Sequence, residues 1–355
     1  MVHLKYYEEE RMILTFKVKH GRNFSLELKR ARQIAEFALK TKTQSSKDVK
    51  QFGLKSAISN QILREFSRNR RLKRVKNVNL IVPHESIKRE LNKIYIPCLK
   101  LYLPITFRTD FLDVRQIELD EEYAYISVTI PEPEMKVVTN YIGVDRNATG
   151  HIAVVANPSN GKVFKLGKSA QHTHNKYRNI RRTLQKCGKY GKLKVIKDRE
   201  SRIVRDINHK ISKKIVDIAE ASNSGIKLER LKGIRNSRHH GRTFNGTLHS
   251  WGFYQLENFI AYKSKMRGIP LVYVEPRNTS KECSRCGDIG ARQGKKFVCH
   301  HCGHVENADV NASFNIASRP SISRFLADRD VRKGCSDTPK TALTRTMSTV
   351  EPHGL

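Results

Sequence analysis

Four of the chain's 7 cysteines stand in two matched pairs, Cys283-x-x-Cys286 and Cys299-x-x-Cys302, with 12 residues between the pairs. This spacing suits a tetrahedral zinc ion, because each CxxC knuckle donates two sulfurs and the intervening hairpin closes the site. Gly287 and Gly303 follow the pairs, where a knuckle turn calls for a residue tolerant of positive φ. With all four positions filled by protein, such an ion is structural and activates no water. Cys98, Cys187 and Cys335 are isolated, a usage that fits a reducing cytosol better than a secreted disulfide framework.

Three carboxylates could do catalytic chemistry. Asp145 ends the strand-like YIGVD before a turn, Glu229 sits in the apolar IKLERL, and Asp309 opens ADVNASFNIA directly after the cysteine pairs. Taken singly, Asp145 reads as a turn former, Asp309 as a helix N-cap, and Glu229 as one half of a salt bridge to an arginine. Glu229 resists the bland reading best, since a carboxylate at the end of a buried strand needs a partner or a cation. Together they suit Mg²⁺ or Mn²⁺, hard cations that prefer carboxylate oxygens and keep waters for exchange. Hydrolysis of a phosphodiester by two such ions, about 3.5–4 Å apart, generates the attacking hydroxide and stabilises the leaving oxygen.

The charge balance names the class of partner. Lys plus Arg is 68 against 34 Asp plus Glu in 355 residues, a formal charge of +34. Self-repulsion of that size favours a polyanionic partner, with binding that is steeply salt-dependent. A structural protein of ribosomal type is a competing class. A membrane-surface binder is disfavoured, because no basic amphipathic helix with an aromatic face stands out. The acid-bearing start MVHLKYYEEERM predicts no signal peptide, and no apolar run reaches the roughly 18–20 residues of a membrane span.

The elements that must position these residues follow from periodicity. Met12 to Leu28 alternates and predicts two strands turning at Gly21. Leu54, Ile58, Ile62, Leu63 and Phe66 recur at helical spacing, with Ser45 or Ser46 as N-cap, and the helix runs into the basic Arg68, Arg70, Arg71, Lys73, Arg74 and Lys76. Strand signals return in LYLPITFRT and RQIELDEEYAYISVTI. Three consecutive strands follow, VVTNYIGVD, HIAVVANP and KVFKLG. A long basic helical stretch then runs from about 170 to 221, with a break at Cys187-Gly188-Lys189-Tyr190-Gly191, and carries Ile203, Ile207, Ile211, Ile215 and Ile218 on one face. IKLERL and PLVYVEP read as strands on either side of a helix capped by Ser250. Three hairpin-connected strands followed by strands alternating with helices is the RNase H-like order.

Residues from about 139 to 317 resemble the RuvC nuclease domain of TnpB proteins, transposon-associated RNA-guided nucleases related to the compact type V CRISPR effectors. The resemblance lies in IGVDRN, the DINHKIS helix at Asp206–Ser212, IKLERL, the SWGFYQL helix start, PRNTSKECSRCG at Pro276–Gly287, CHHCGHVENADVNASFNIA at Cys299–Ala317, and the tail piece GCSDTP. It implies an α/β protein with an RNase H-like (RuvC) domain at 139–318 that carries an inserted zinc ribbon at about 279–306. A wedge β-barrel at 1–30 and 101–138, interrupted by a helical recognition region at 31–100, would precede it, and a poorly ordered tail at 319–355 would follow. Asp145, Glu229 and Asp309 fall on the family's catalytic, Mg²⁺-binding positions, and Cys283, Cys286, Cys299 and Cys302 on its zinc ligands. The implied partners are a guide RNA and target DNA, double- and single-stranded, cut beside a short motif in the cytoplasm of a prokaryote, at the nucleoid. The basic run from Arg68 to Lys76 and the stretch from His172 to Lys197 would track nucleic-acid backbone, since a protein holding an A-form duplex reads shape and charge; a solvated helix end is the plain alternative. The chain departs from the family's pattern at Asn307-Ala308 and at Arg230. Competing readings are a nuclease-inactive RNA-guided DNA-binding regulator, which would be expected to lose a carboxylate, an unguided RuvC-like nuclease or transposition accessory protein, and a structural RNA binder.

Overall fold

A computed structural model describes residues 11–69, 72–107, 109–147, 149–231 and 253–322. The chain divides into two compact units at residues 132 and 133, and each is built around its own sheet. Arg70 and Arg71 of the basic run, Ser250 and the GCSDTP segment lie outside the described residues.

In the first unit, β1 (Arg11–Lys19) confirms the leading strand of the expected pair, whereas the second is a helix, α1 (Ser25–Thr41). Two local features override the alternation. The Asn23 side chain accepts from the Ser25 backbone N–H and turns the chain. Downstream, Ala31, Ile34, Ala35 and Ala38 share one buried helical face. β1 pairs instead with β7 (Tyr123–Pro131), in a four-stranded sheet of order β1-β7-β6-β2, with β6 at Asp113–Leu119 and β2 at Leu80–Pro83. The helix read around Ile58 is α2 (Ser56–Arg68), with Ile58, Ile62, Leu63 and Phe66 buried. Ser45 caps a separate short 3-10 turn, Ser46–Phe52, which ends at Gly53 in the left-handed region. A small sheet of β3 (Lys88–Arg89), β4 (Lys93–Ile96) and β5 (Leu101–Pro104) completes the unit. Among the described residues from 31 to 100, α-helices therefore end at Arg68; LIVP and KIYI alternate in burial and form strands.

The second unit holds a five-stranded sheet of order β10-β9-β8-β11-β12. The first three strands run consecutively: β8 (Asn140–Arg146), β9 (Ala153–Asn157) and β10 (Lys162–Leu166), joined antiparallel. The chain then crosses through α3 (Lys168–Lys186), α4 (Tyr190–Ile196) and α5 (Arg199–Ala221) to β11 (Ser224–Glu229), parallel to β8. α6 (Phe253–Met266) returns it to β12 (Leu271–Val274), parallel to β11. On one sheet face Ile142, Val144, Ile226 and Leu228 pack with Ile211, Ile215, Val216, Ile218 and Ala219 of α5 and with Leu256 and Ile260 of α6. Each such side chain, fully buried, contributes about 1.5–3 kcal/mol. Ile203 lies on the same stripe but beyond the sheet, 37% exposed.

The other face is covered by α7 (Ala308–Ser318). Here Gly143 is required: a Cβ at that position would come within 2.0 Å of the Ser313 carbonyl and 2.5 Å of the Ala317 nitrogen. The buried Lys227 completes the contact, donating from Nζ to the carbonyls of Ala317 at 2.8 Å and Arg319 at 2.5 Å, and so satisfies the end of α7. Of the stretch expected as tail, Arg319 binds Glu282 and the carbonyls of Glu275 and Arg277, and the Ile322 N–H donates to Tyr273. Residues 323–355 lie outside the described residues.

Candidate active site

Between β12 and α7 the chain forms a hairpin unit of three short strands, β13 (Ala291–Gln293), β14 (Lys296–Val298) and β15 (Val305–Asn307). It brings the four paired cysteines together, with all four sulfurs within 4.8 Å of one another. Cys283 Sγ lies 3.6 Å from Cys302 Sγ, and Cys286 Sγ lies 3.5 Å from Cys299 Sγ. Tetrahedral Zn–S bonds of about 2.3 Å place sulfurs about 3.8 Å apart, so the cluster fits a zinc ribbon. Gly287 and Gly303 have φ of 84° and 70°, as the knuckle turns require. Phe297, fully buried beside Cys283 and Cys299, fills the ribbon's small core.

The carboxylates converge on the α7 side of the large sheet. Strand alternation puts Gly143 and Asp145 of β8, and Lys227 and Glu229 of β11, on that face. The β8–β11 register runs Lys227↔Gly143, Leu228↔Val144, so Asp145 and Glu229 end adjacent strands side by side. α7 brings Asp309 to the same place. Asp309 is not the cap of its helix: the Asn307 side chain accepts from the N–H groups of Asp309 at 3.1 Å and Val310 at 3.3 Å. Asn307, at one of the two places where the chain departs from the resembled pattern, thus does the capping and frees the carboxylate.

All three acids are nearly sealed from solvent: Asp145 and Glu229 are 8% exposed and Asp309 4%. Burial, then the charges of Glu229 and Asp309, push the Asp145 carboxyl up to about 7, against a hydrogen bond from Asn147. Burial likewise raises Glu229, opposed by the Thr279 hydroxyl, which donates to Oε1, and by Arg146, Arg319 and Arg292. Lys295, in the turn between β13 and β14, donates to Asp309 Oδ2 at 2.5 Å and to Asn147 Oδ1 at 3.4 Å. Asp309 Oδ1 has no hydrogen-bond partner, and Arg292 Nη2 lies 3.6 Å from it. Among the described residues, donor sets with all ligand atoms within 4.8 Å are the four cysteines and the exposed Cys286, Asp288 and His301; the three carboxylates are set more widely. A sealed group of three mutually repelling acids, one with an orphaned oxygen, fits cations placed among them.

Asn147, Thr279, Lys295, Arg292 and Arg146 all touch these acids or their strands, and residue type alone flagged none of them. Of the basic run, Arg68, Lys73, Arg74 and Lys76 are exposed at and beyond the end of α2. The stretch from 172 to 197 forms α3 and α4, of which only Tyr177 is buried; Glu200 of α5 ties it down through His174 at 2.9 Å and Arg181. His209 is half-buried, stacked on Phe259 with ring centroids 3.8 Å apart.

Comparison with known proteins finds similar sequences and a similar fold. The family described as Cas12f1-like, TNB domain matches residues 253–316. A CRISPR-associated endodeoxyribonuclease Cas12f1 of Sulfoacidibacillus thermotolerans is 40% identical over 125 residues, 34% of this chain and 28% of that protein. A TnpB-like protein of Aquifex aeolicus is 29% identical over 230 residues, 57% of this chain and 75% of the relative. Another TnpB-like protein, of Methanocaldococcus jannaschii, is 35% identical over 160 residues, 43% and 57% of the two chains. Two of these three matches therefore span less than two thirds of the relative's length. The α/β fold is similar to that of a Cas12f1 solved with a single guide RNA and target DNA, with a TM-score of 0.57 at 18% identity over 84% of this chain and 82% of that one.

Proposed function

We propose that the chain, similar over parts of its length to TnpB-like proteins and Cas12f effectors, is an RNA-guided, metal-dependent DNA endonuclease. The observation that carries the reading is the convergence of Asp145, Glu229 and Asp309 on one sealed patch of the sheet, with an oxygen of Asp309 left without a hydrogen bond.

The second unit, on this reading, is an RNase H-like nuclease domain of RuvC type, and its ribbon holds structural zinc. The first unit corresponds to a wedge β-barrel with a helical recognition region, where Arg68, Lys73, Arg74 and Lys76 meet the backbone of a guide RNA or its duplex with target DNA. Asp145, Glu229 and Asp309 would hold the divalent ions, which when bound would supply a hydroxide at neutral pH and charge stabilisation for the leaving oxygen. The chain's own residues prepare that place. Asn147 and Thr279 orient the Asp145 and Glu229 carboxylates by single hydrogen bonds. Lys295 and Arg292 bring positive charge from the ribbon to the edge of the site, where a phosphodiester would lie. A nuclease-inactive regulator would have no use for three carboxylates sealed together at this cost.

The test is to purify the chain from its own locus, sequence the RNA that accompanies it, and challenge the complex with a target library in Mg²⁺. A discrete RNA and cuts at one offset from a short motif are expected; absence of any discrete RNA would remove the guided part of the reading.

A further inference from the structure

Arg146 follows Asp145 and points to the opposite face of the sheet, where its side chain is 1% exposed. A buried guanidinium needs partners for its charge and its N–H groups, and it has two. Nη1 donates to Glu257 Oε2 of α6 at 2.5 Å, and Nη2 donates to the backbone carbonyl of Glu229 at 2.7 Å. This carbonyl lies where the β8–β11 ladder stops, since the pairing ends at Leu228↔Val144. On the other side of the strand end, the Arg230 N–H continues the ladder to the Val274 carbonyl at 3.0 Å. Without Arg146 the Glu229 peptide would be held from one side only.

We propose that Arg146 is a positioning residue for the metal site: clamped by Glu257, its planar fork fixes the Glu229 backbone so that the carboxylate beyond it faces Asp145 and Asp309. The proposal rests on the reading of those carboxylates as a divalent-metal site. Groups behind metal ligands are the usual place for such control, and their loss typically weakens metal binding by about 10- to 100-fold. The arrangement also couples α6 to the site, because Glu257 is the only carboxylate that the Arg146 guanidinium touches among the described residues.

The alternative role for Arg146 is a plain counter-charge, and the two differ in what lysine can replace. An ammonium restores the charge but cannot span Glu257 and the Glu229 carbonyl as a fork. The experiment is an Mn²⁺ titration of the full-length chain by electron paramagnetic resonance, with thermal melts alongside, for the parent, Arg146→Lys, Glu257→Gln and Asp145→Ala. Asp145→Ala is expected to abolish the Mn²⁺ site. Arg146→Lys is expected to weaken it by about tenfold or more, and Glu257→Gln, which keeps the side-chain shape, to weaken it in the same direction by less. Parent-like Mn²⁺ affinity in Arg146→Lys overturns the positioning role, including when its melting temperature falls, for that is the signature of a merely structural residue. If Arg146→Lys does not fold, Glu257→Gln decides by the same criterion. Unchanged Mn²⁺ binding in Asp145→Ala instead overturns the metal-site reading itself, and the positioning role with it.

Discussion

Glu229 shows how a buried acid is controlled one bond at a time. Its carboxylate accepts from the Thr279 hydroxyl, and Thr279, itself 4% exposed, is held by the Pro276 carbonyl at 3.2 Å. Thr279→Val keeps the volume and removes the donor. The half-saturating Mg²⁺ concentration for cleavage should then rise by about 10- to 100-fold; an unchanged Mg²⁺ titration would remove Thr279 from the site. His209 gives a second prediction at this scale. Burial against Phe259, then Lys263 and Arg205, hold its imidazole down at about 4 from an ordinary value of 6.5. The sign follows: with the folded value depressed, the stabilisation is complete above about pH 6.5 and is lost as pH falls toward and through about 4. His209→Gln should therefore lose less melting temperature than the parent between pH 7 and pH 4.5; equal losses would contradict the assignment. Residue types pointed to the three acids and four cysteines, because carboxylates suit hard cations and paired thiolates suit zinc. Thr279, Asn147 and Arg146 were silent in the sequence, since an ordinary hydroxyl, amide or guanidinium acquires its role from what lies across the fold.

At the scale of elements, the site is an agreement between two strand ends and one helix. α7 can carry Asp309 to Asp145 only because Gly143 leaves room for its backbone, and Lys227 secures its far end. Gly143→Ala places a methyl against backbone rather than a flexible side chain, so α7 must shift. A loss of about 1–3 kcal/mol or more in unfolding free energy is expected, with cleavage reduced beyond what the lost stability explains. Denaturant melts near the parental value would show that the contact is looser than the geometry states. Elements with their own periodicity were legible: the strands ending at Asp145 and Glu229, the stripe from Ile207 to Ile218, and the break at Gly188. The strand read after Gly21 failed because Asn23 starts a helix whose small buried face, Ala31, Ile34, Ala35 and Ala38, lies beyond the alternating window. The Asp309 cap misled for a related reason: Asn307 and Asp309 are both good caps by type, and only the backbone selects Asn307.

Over the whole molecule, a charge of +34 and the exposed basic side chains at the end of α2 and along α3 and α4 demand a polyanion. Nucleic-acid affinity should fall linearly on a log–log plot against salt. Six to ten phosphate contacts would lose about 10³–10⁵ in affinity between 50 and 200 mM, and a flat salt response would rule out backbone contact as the main source of affinity. Composition points to this partner class without separating a nuclease from a structural binder; the proposed nuclease rests on the sealed carboxylates for that distinction. The most direct measurement is therefore cleavage of target DNA by the full-length chain with its own RNA, parent beside Asp145→Ala, with and without Mg²⁺. Cutting is expected only from the parent and only with the metal. Cutting by Asp145→Ala at the parental rate would show that Asp145 holds no catalytic metal.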